Sequence, residues 1–544
     1  MQRDLPGLAD TTFDLVVVGA GIYGTLAAWD AARRGWRVAL IDRGDLGGGT
    51  SFNSLKTLHG GLRSLQSLNL TQMRRFIRER RAMAIMAPHL VDPLPFCVPT
   101  YQHPTRNAWA LRVALAITDA VGHDRLDGVV DAHLRVPGGA VVSRDECLRL
   151  NPVIDGEGVT GGAVWYDYQM RHAERIVVGA AASAAALGAV IGPWVESEGL
   201  ALAGGRLAAL RVRDTHTGTP FEIRTRAVLN AAGPWAGALA SRLAGAAAST
   251  PAPRLSRAMN LVVPRVTGDH ACGGIVDGRY LFLVPWRDVS IVGTSHDPHD
   301  GDADAPYGGP AHVAALLHDA QRAFPGARLD TDAVRLVHRG LLPMLSGSEP
   351  PVRLLRESAV VDHTRDGVPG LVSLHSVRYT TARHSAAEAV DVVAGVLGRP
   401  ADRSPRPGLR LASAGFETVD GLVQAARTAA TPGTTAPLRE RLARTYGDDW
   451  IQVSARIAAD PATAEPLSSI CEVTAAEVLH AIEEEAATTL TDVLLRRTAA
   501  GSTGHPGAVA VQATVDLVAP RLGWDGARLA RERAALDRVY PLPR

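Results

Sequence analysis

Lysine is all but missing from this sequence. Lys56 is the only one among 544 residues, and every other long basic side chain is arginine. With abundant Ala, Gly and Pro this points to compositional drift in a GC-rich genome, so an arginine standing where a lysine is expected carries little weight. Cysteine is scarce too: Cys97, Cys147, Cys272 and Cys471 are far apart and form no CxxC pair. That excludes a zinc or disulfide framework and fits a reducing compartment. There is no uncharged apolar run of about 18 residues, so no membrane-spanning helix is expected. The opening residues, MQRDLPGLADTTFD, lack the apolar core of a signal peptide. An excess of one charge is also absent; a formal net charge of +1 removes any case for bulk attraction to nucleic acid. No internal repeat is found. The expectation is a cytoplasmic protein, soluble or held peripherally on the inner face of the cytoplasmic membrane.

What is present is a nucleotide-binding pattern. An apolar fraction of 46% suits a globular protein, and 544 residues exceed one ordinary core, so two or three domains are expected. DLVVV, residues 14–18, reads as a buried parallel strand. GAGIYG follows, then a helix over residues 22–34 ended by Gly35, then the strand RVALID ending at Asp42. In such a unit Gly19 permits the tight turn, Gly21 lets the backbone approach a pyrophosphate, and Gly24 lets helix and strand pack closely. The helix N-terminus at Ile22 and Tyr23 offers free N–H groups to phosphate, and Asp42 can accept from ribose hydroxyls.

The glycine motif alone does not separate FAD from NAD. Three further segments do. RGDLGGGTSFNSLKTLHGGLR, after Asp42, is a loop able to wrap a pyrophosphate and reach an isoalloxazine, with Arg43, Thr50, Ser51, Ser54, Lys56, His59, Gly60 and Gly61 as candidates. AVLNAAGPWAG is a strand ending in small residues, with Ala232, Gly233 and Trp235. SVRYTTAR carries Arg378, Tyr379 and Thr380 ahead of a helix whose N-terminus can stabilise charge on a reduced ring. Val195, in AVIGPWVES, is a further cofactor candidate.

Elsewhere, residues 70–90 read as a basic amphipathic helix packed on the domain. A substrate-binding β-sheet region is expected over roughly residues 70–160 and 240–345, interleaved with cofactor segments across residues 1–399. Residues 400–437 read as a linker, and residues 438–544 as a helical domain with no strand signal.

These cofactor segments, with MAPHL, LVVPRV and VPWRDVSIVGTSHD, occur in the order seen in aerobic, FAD-linked glycerol-3-phosphate dehydrogenases. The chain resembles that family from about residue 12 to 395, and its helical C-terminal region resembles theirs. The resemblance implies an α/β fold: a two-dinucleotide-binding-type, Rossmann-like FAD domain, a mixed-sheet substrate domain and a C-terminal helical domain. It also implies hydride transfer from a secondary alcohol to flavin N5, with electrons passed to a quinone, or to dioxygen in the oxidase branch. An oxidase releasing hydrogen peroxide from an alcohol or amine is the alternative, and a non-catalytic FAD-binding scaffold a second. The C-terminal helices are left with three roles: capping the flavin domain, homodimer formation or membrane docking.

The substrate pocket departs from the family. The tyrosine after HGGLR is Ser64, the histidine before LVVPRV is Asn260, and the arginine of the GxRP segment is Leu342. GGKLTTYR becomes SVRYTTAR, with Ser376, Val377 and Arg378. Drift accounts for Arg378 and not for the others. A phosphate dianion without its bidentate arginine loses charge-assisted bonds worth about 1.5–3 kcal/mol each. A small polar alcohol other than glycerol 3-phosphate is therefore the leading expectation, with Arg339 and Arg356 as groups that could compensate. Arg63 and Arg378 are read as anion or oxyanion partners. For the base, His59, His338 and His375 are candidates, with His375 first because its segment should lie at the flavin. HDPHDGDAD, residues 296–304, reads as a solvated loop, and no metal is expected.

Overall fold

The strand DLVVV is apolar throughout because both of its faces are covered. In the computed structural model, which describes residues 1–244, 253–305, 308–345, 347, 352–401 and 409–540, Leu15 and Val17 enter one core while Val16 and Val18 enter another. This strand, Leu15–Val18, is central in a six-stranded sheet. The order is Ala359–Asp362, Leu371–His375, Val228–Asn230, Leu15–Val18, Val38–Asp42, Val190–Pro193. Every neighbouring pair is parallel except the first. Helices Ile22–Arg33, Ala173–Ala185 and Ala382–Val396 pack together on one face. A four-stranded sheet containing Val195–Ala203 and Arg206–Asp214 covers the other.

A second, nine-stranded mixed sheet stands beside this layer. Leu255–Pro264 lies between Val289–His299 and Leu336–Pro343, antiparallel to both. Val91–Tyr101 joins parallel to Ala271–Val276 and antiparallel to Val159–Met170. One face buries Leu261, Val263, Leu281 and Leu283 under the helix Pro310–Ala323. The basic helix Leu70–Met86 buries Met73, Phe76, Ile77 and Met83, the i, i+3, i+4 stripe that packs a surface helix on a domain.

Two expectations about the C-terminal third are corrected. The stretch read as a linker, residues 400–437, contains the helix Val419–Thr428. Its Thr418 hydroxyl caps the first turn, and Val419, Leu422, Val423 and Ala426 form a buried stripe, so apolar spacing outweighs the Pro/Thr/Gly-rich flanks. Residues 402–408 of that stretch lie outside the described residues. The region beyond is also not purely helical: a short hairpin, Pro466–Ser468 with Cys471–Thr474, precedes the helix Ala475–Glu484. Its Thr474–Glu477 capping box is held by Arg441, which donates to Glu477 at 2.6 Å.

The helical domain is docked on the layer of the six-stranded sheet by polar contacts. Arg175 pairs with Glu485 at 2.7 Å, and Trp194 Nε1 donates to Asp492 at 3.1 Å. Arg497 donates to both Asp45 oxygens at 2.6 and 2.8 Å. No helix among the described residues is long and apolar enough to cross a membrane.

Candidate active site

Between the six-stranded and nine-stranded sheets runs a cavity of about 2220 Å³. Ordinary small-ligand pockets hold about 300–1,000 Å³, so this one has room for a dinucleotide and a substrate together. Its floor begins at the glycine turn. Gly19 sits at φ 105°, and a Cβ there would stand 2.6 Å from the Ala231 carbonyl oxygen. A Cβ on Gly24 would overlap the Gly19 carbonyl, so this glycine packs helix on strand and does not line the cavity. Gly21, Ile22, Tyr23 and Asp42 do line it. Asp42 takes the amides of Ala20 at 2.7 Å and Gly44 at 2.8 Å, fixing the turn, while burial pushes its carboxyl above the usual range.

The glycine motif, the loop after Asp42 and the SVRYTTAR segment are stitched together. The Tyr23 hydroxyl donates to the Arg378 carbonyl at 2.6 Å, and the His59 amide donates to Thr380 Oγ1 at 3.0 Å. The Ile22 amide donates to Ser51 Oγ at 3.0 Å. Arg43, Thr50, Ser51, Ser54, His59, Gly61, Ala232, Gly233, Trp235, Arg378, Tyr379 and Thr380 all line the cavity, as expected of a cofactor cradle. Hydroxyl groups for hydrogen bonding, and glycines whose missing Cβ lets main chain approach closely, suit a pyrophosphate and an isoalloxazine.

Some expected residues stand elsewhere. Lys56 is fully buried and absent from the lining. The chain turns there at φ 59°, sending the ammonium behind the wall to the Phe52 carbonyl at 2.6 Å and Glu174 at 3.4 Å. It also lies over the Phe52 ring at 4.4 Å and the Trp286 ring at 5.2 Å. The Lys56 ammonium is thus a buried, paired charge that stiffens the loop behind the cavity wall. Gly60 acts through its amide, which donates to Asp167 at 2.6 Å. Val195 is buried between the sheets; its neighbours Trp194 and Glu196 face the cavity instead.

The three histidines separate clearly. His375 ends a strand with its side chain buried in the domain, outside the lining, and burial lowers its pKa. His338 is fully buried, edge-on to Phe52 and Trp286, its pKa pushed down to about 3 by burial. His59 lines the cavity, half-exposed, with Nδ1 3.2 Å from Asp167. Burial alone would raise the Asp167 pKa. The His59 hydrogen bond, the Arg80 charge and the Gly60 amide outweigh it and hold the carboxyl below the usual range.

On the substrate wall, Ser64, Asn260, Leu342 and Arg356 line the cavity together. Asn260 Oδ1 accepts from the Thr294 hydroxyl at 2.7 Å. Gln72 spans Ser64 and the Arg356 carbonyl, at 3.4 and 2.7 Å. Arg378 donates to the Arg356 carbonyl and lies over the Phe76 ring at 5.3 Å. Arg339 does not line the cavity; its Nε is committed to the Gly308 carbonyl at 3.0 Å, so it does not replace the missing strand arginine. Arg63 stands in the turn Leu62–Ser67, and its side chain lies outside the described residues.

Comparison with known proteins decides the family. Residues 14–392 match the model described as FAD dependent oxidoreductase, and residues 415–529 match the C-terminal domain of alpha-glycerophosphate oxidase. The chain belongs to the FAD-dependent glycerol-3-phosphate dehydrogenase family. It is 32% identical over 539 residues to glycerol-3-phosphate dehydrogenase 2 of Mycobacterium tuberculosis, covering 97% of this chain and 88% of that one. It is 28% identical over 537 residues to glycerol-3-phosphate dehydrogenase of Synechocystis, covering 96% and 95%. The crystal structure of the Bacillus halodurans glycerol-3-phosphate dehydrogenase complexed with FAD has the same fold: TM-score 0.77 over 99% of this chain and 98% of that one, at 23% identity. The family's cofactor is FAD, and the chain is a FAD-dependent dehydrogenase or oxidase of the glycerol-3-phosphate dehydrogenase type.

Within this family frame, several cavity residues escaped sequence reading. Asp167 lies in the alternating strand WYDYQ, where nothing marks it as special. Asp304, in the run read as a solvated loop, accepts from Trp235 Nε1 at 2.7 Å and pairs with Arg43 at the rim. Arg496 comes from the helical domain.

Proposed function

We propose that this protein oxidises the secondary alcohol of a small polar substrate, with FAD in the cavity taking the hydride. The observation that carries this reading is the His59–Asp167 pair on the cavity wall beside Gly61 and Thr380. Asp167 orients the imidazole through Nδ1, which leaves Nε2 as the atom that accepts the hydroxyl proton. His59 therefore takes the role first given to His375. Arg356 and Arg378 match an anionic group on the substrate, while Leu342 removes the fork that would grip a phosphate dianion from the strand side. Glycerol 3-phosphate, the substrate in the relatives' names, is accordingly bound weakly or replaced by another hydroxyl compound.

The test is anaerobic bleaching of the bound flavin by glycerol 3-phosphate, other polyols and hydroxy acids, and amines. Bleaching by an alcohol is expected; bleaching by amines alone would refute the proposal.

A specific observation favours a quinone over dioxygen as acceptor. Past His59 the cavity continues along Phe96, stacked on Trp165 at 5.1 Å, to Phe282 and Tyr280, under the helix Ala108–Val121. Ala110, Leu111, Ala114 and Leu115 of that helix line the cavity, while Trp109, Val113 and Ile117 on its outer side are 72%, 38% and 37% exposed. A surface helix apolar on both faces suits peripheral contact with a membrane and entry of a lipid-soluble acceptor. Reoxidation faster by a short-chain quinone than by air supports this; the reverse favours an oxidase.

A further inference from the structure

The helical domain reaches the cavity through the widened turn Asp492–Arg497. Turns of this π type are rare and recur at functional sites, and here the adjacent Arg496 and Arg497 both bond Asp45. Asp45 follows Asp42 in the loop that leaves the glycine-motif strand, and its side chain lines the cavity. Arg497 takes it bidentately, at 2.6 and 2.8 Å. Arg496 bonds it through Nε and holds Asp492 at 2.8 Å and Thr491 at 3.3 Å through Nη2. The four charged side chains are each nine-tenths or more buried.

Two facts set Arg496 apart from a structural ion pair. Its side chain lines the cavity, close to where a Cβ on Gly48 would stand. Its remaining nitrogen, Nη1, makes no hydrogen bond among the described residues, although its Nε and Nη2 are both engaged. A buried guanidinium with a spare donor facing a ligand cavity is built to take an oxygen from that ligand. The loop at this point is the one carrying the ADP half of a dinucleotide over the glycine turn.

We propose that Arg496 is a cofactor-binding residue supplied by the C-terminal helical domain, its Nη1 donating to the ADP half of FAD. With Asp45, Asp492 and Arg497 it latches the phosphate-side loop to that domain. Undocking the domain would leave Asp45 buried without its counter-charges, so the loop is in its binding shape only while the domain is seated. Trp194 belongs to the same latch: its amide donates to the Gly44 carbonyl at 2.8 Å, its indole to Asp492, and it lines the cavity.

Apoprotein titrated with FAD and, separately, with ADP tests this without any turnover. Arg496→Leu leaves the bidentate Arg497–Asp45 pair in place and is expected to weaken FAD and ADP by the same factor, about tenfold or more. Arg496→Lys, which keeps the charge and guards against loss of folding, should fall between wild type and Arg496→Leu. Asp131→Ala, which removes a distant contact between the domains, the Val419 amide on Asp131, should lower the apoprotein's melting temperature while leaving both affinities within about twofold. FAD and ADP affinities unchanged in Arg496→Leu, or weakened equally in Asp131→Ala, would overturn the proposal.

Discussion

The two walls of the cavity are made of different material. The cofactor wall is largely main chain and small side chains: Gly19 and Gly21 of the glycine turn, Gly44, Gly48 and Gly49 of the loop after Asp42, and small hydroxyls such as Ser51 and Thr380. The substrate wall is side chains: Ser64, Asn260, Leu342, Arg356 and Arg378. Backbone groups do not change when a sequence drifts, and glycines resist replacement because a Cβ would strike main chain. Side chains on a strand can be exchanged singly with the sheet intact. On the resemblance, the departures from the family pattern fall at side chains, Ser64, Asn260 and Leu342 on the substrate wall and Ser376 and Val377 at the edge of the cofactor wall, while the Gly19–Gly24 turn keeps its glycines, so the identity of the cofactor is better determined than that of the substrate.

If the cofactor wall depends on backbone shape, its glycines should give the largest effects. Gly24→Val would drive the helix Ile22–Arg33 off the Gly19 carbonyl and should abolish FAD binding, a loss of at least about 3 kcal/mol or more than a hundredfold. The ratio of flavin to protein absorbance reads this directly. Substitution of the proposed base comes next in affecting rate: His59→Gln should slow anaerobic flavin reduction by about 10²–10⁴, with FAD affinity held. His375→Gln, away from the lining, should change the rate little, and stopped-flow traces of the two variants distinguish them.

The substrate wall should respond in the opposite direction. Leu342→Arg restores a fork facing the cavity and should lower KM for glycerol 3-phosphate about tenfold to a hundredfold. The smallest effect concerns the region behind the wall. His338 and His89 have pKa values pushed down to about 3, and His172 to about 4, from an ordinary 6.5, burial being the main cause. The unfolded chain therefore binds protons that the native protein refuses, and stability falls as pH drops from about 6.5 toward 4. His338→Phe should reduce that pH slope by about one proton, measured by denaturant unfolding across the window.

Much of the cofactor wall was legible because its signals are local. The glycine turn, the apolar strand and Asp42 fall within one strand–helix–strand unit, and the HGGLR and SVRYTT segments carry their own patterns. His375 was misjudged by phase: the residues that line the cavity begin at Ser376, just past the strand end, while the strand itself keeps its side chains buried. Asp167, Asp304 and Arg496 could not be read because each acts through a partner distant in sequence: His59, Trp235 and Asp45. Lys56 was conspicuous by rarity, and its role came from enclosure, which no spacing reveals. The helix Val419–Thr428 did have a readable stripe, masked by its flanks.

The contrast between the walls is tested most directly by glycerol 3-phosphate binding to the oxidised, FAD-loaded protein, followed by perturbation of the flavin spectrum under anaerobic conditions. Wild type should require high concentrations, and Leu342→Arg should shift the half-saturation point down about tenfold or more. Tight binding by wild type that is weakened or unchanged in Leu342→Arg would contradict the claim that the substrate wall has lost its phosphate grip.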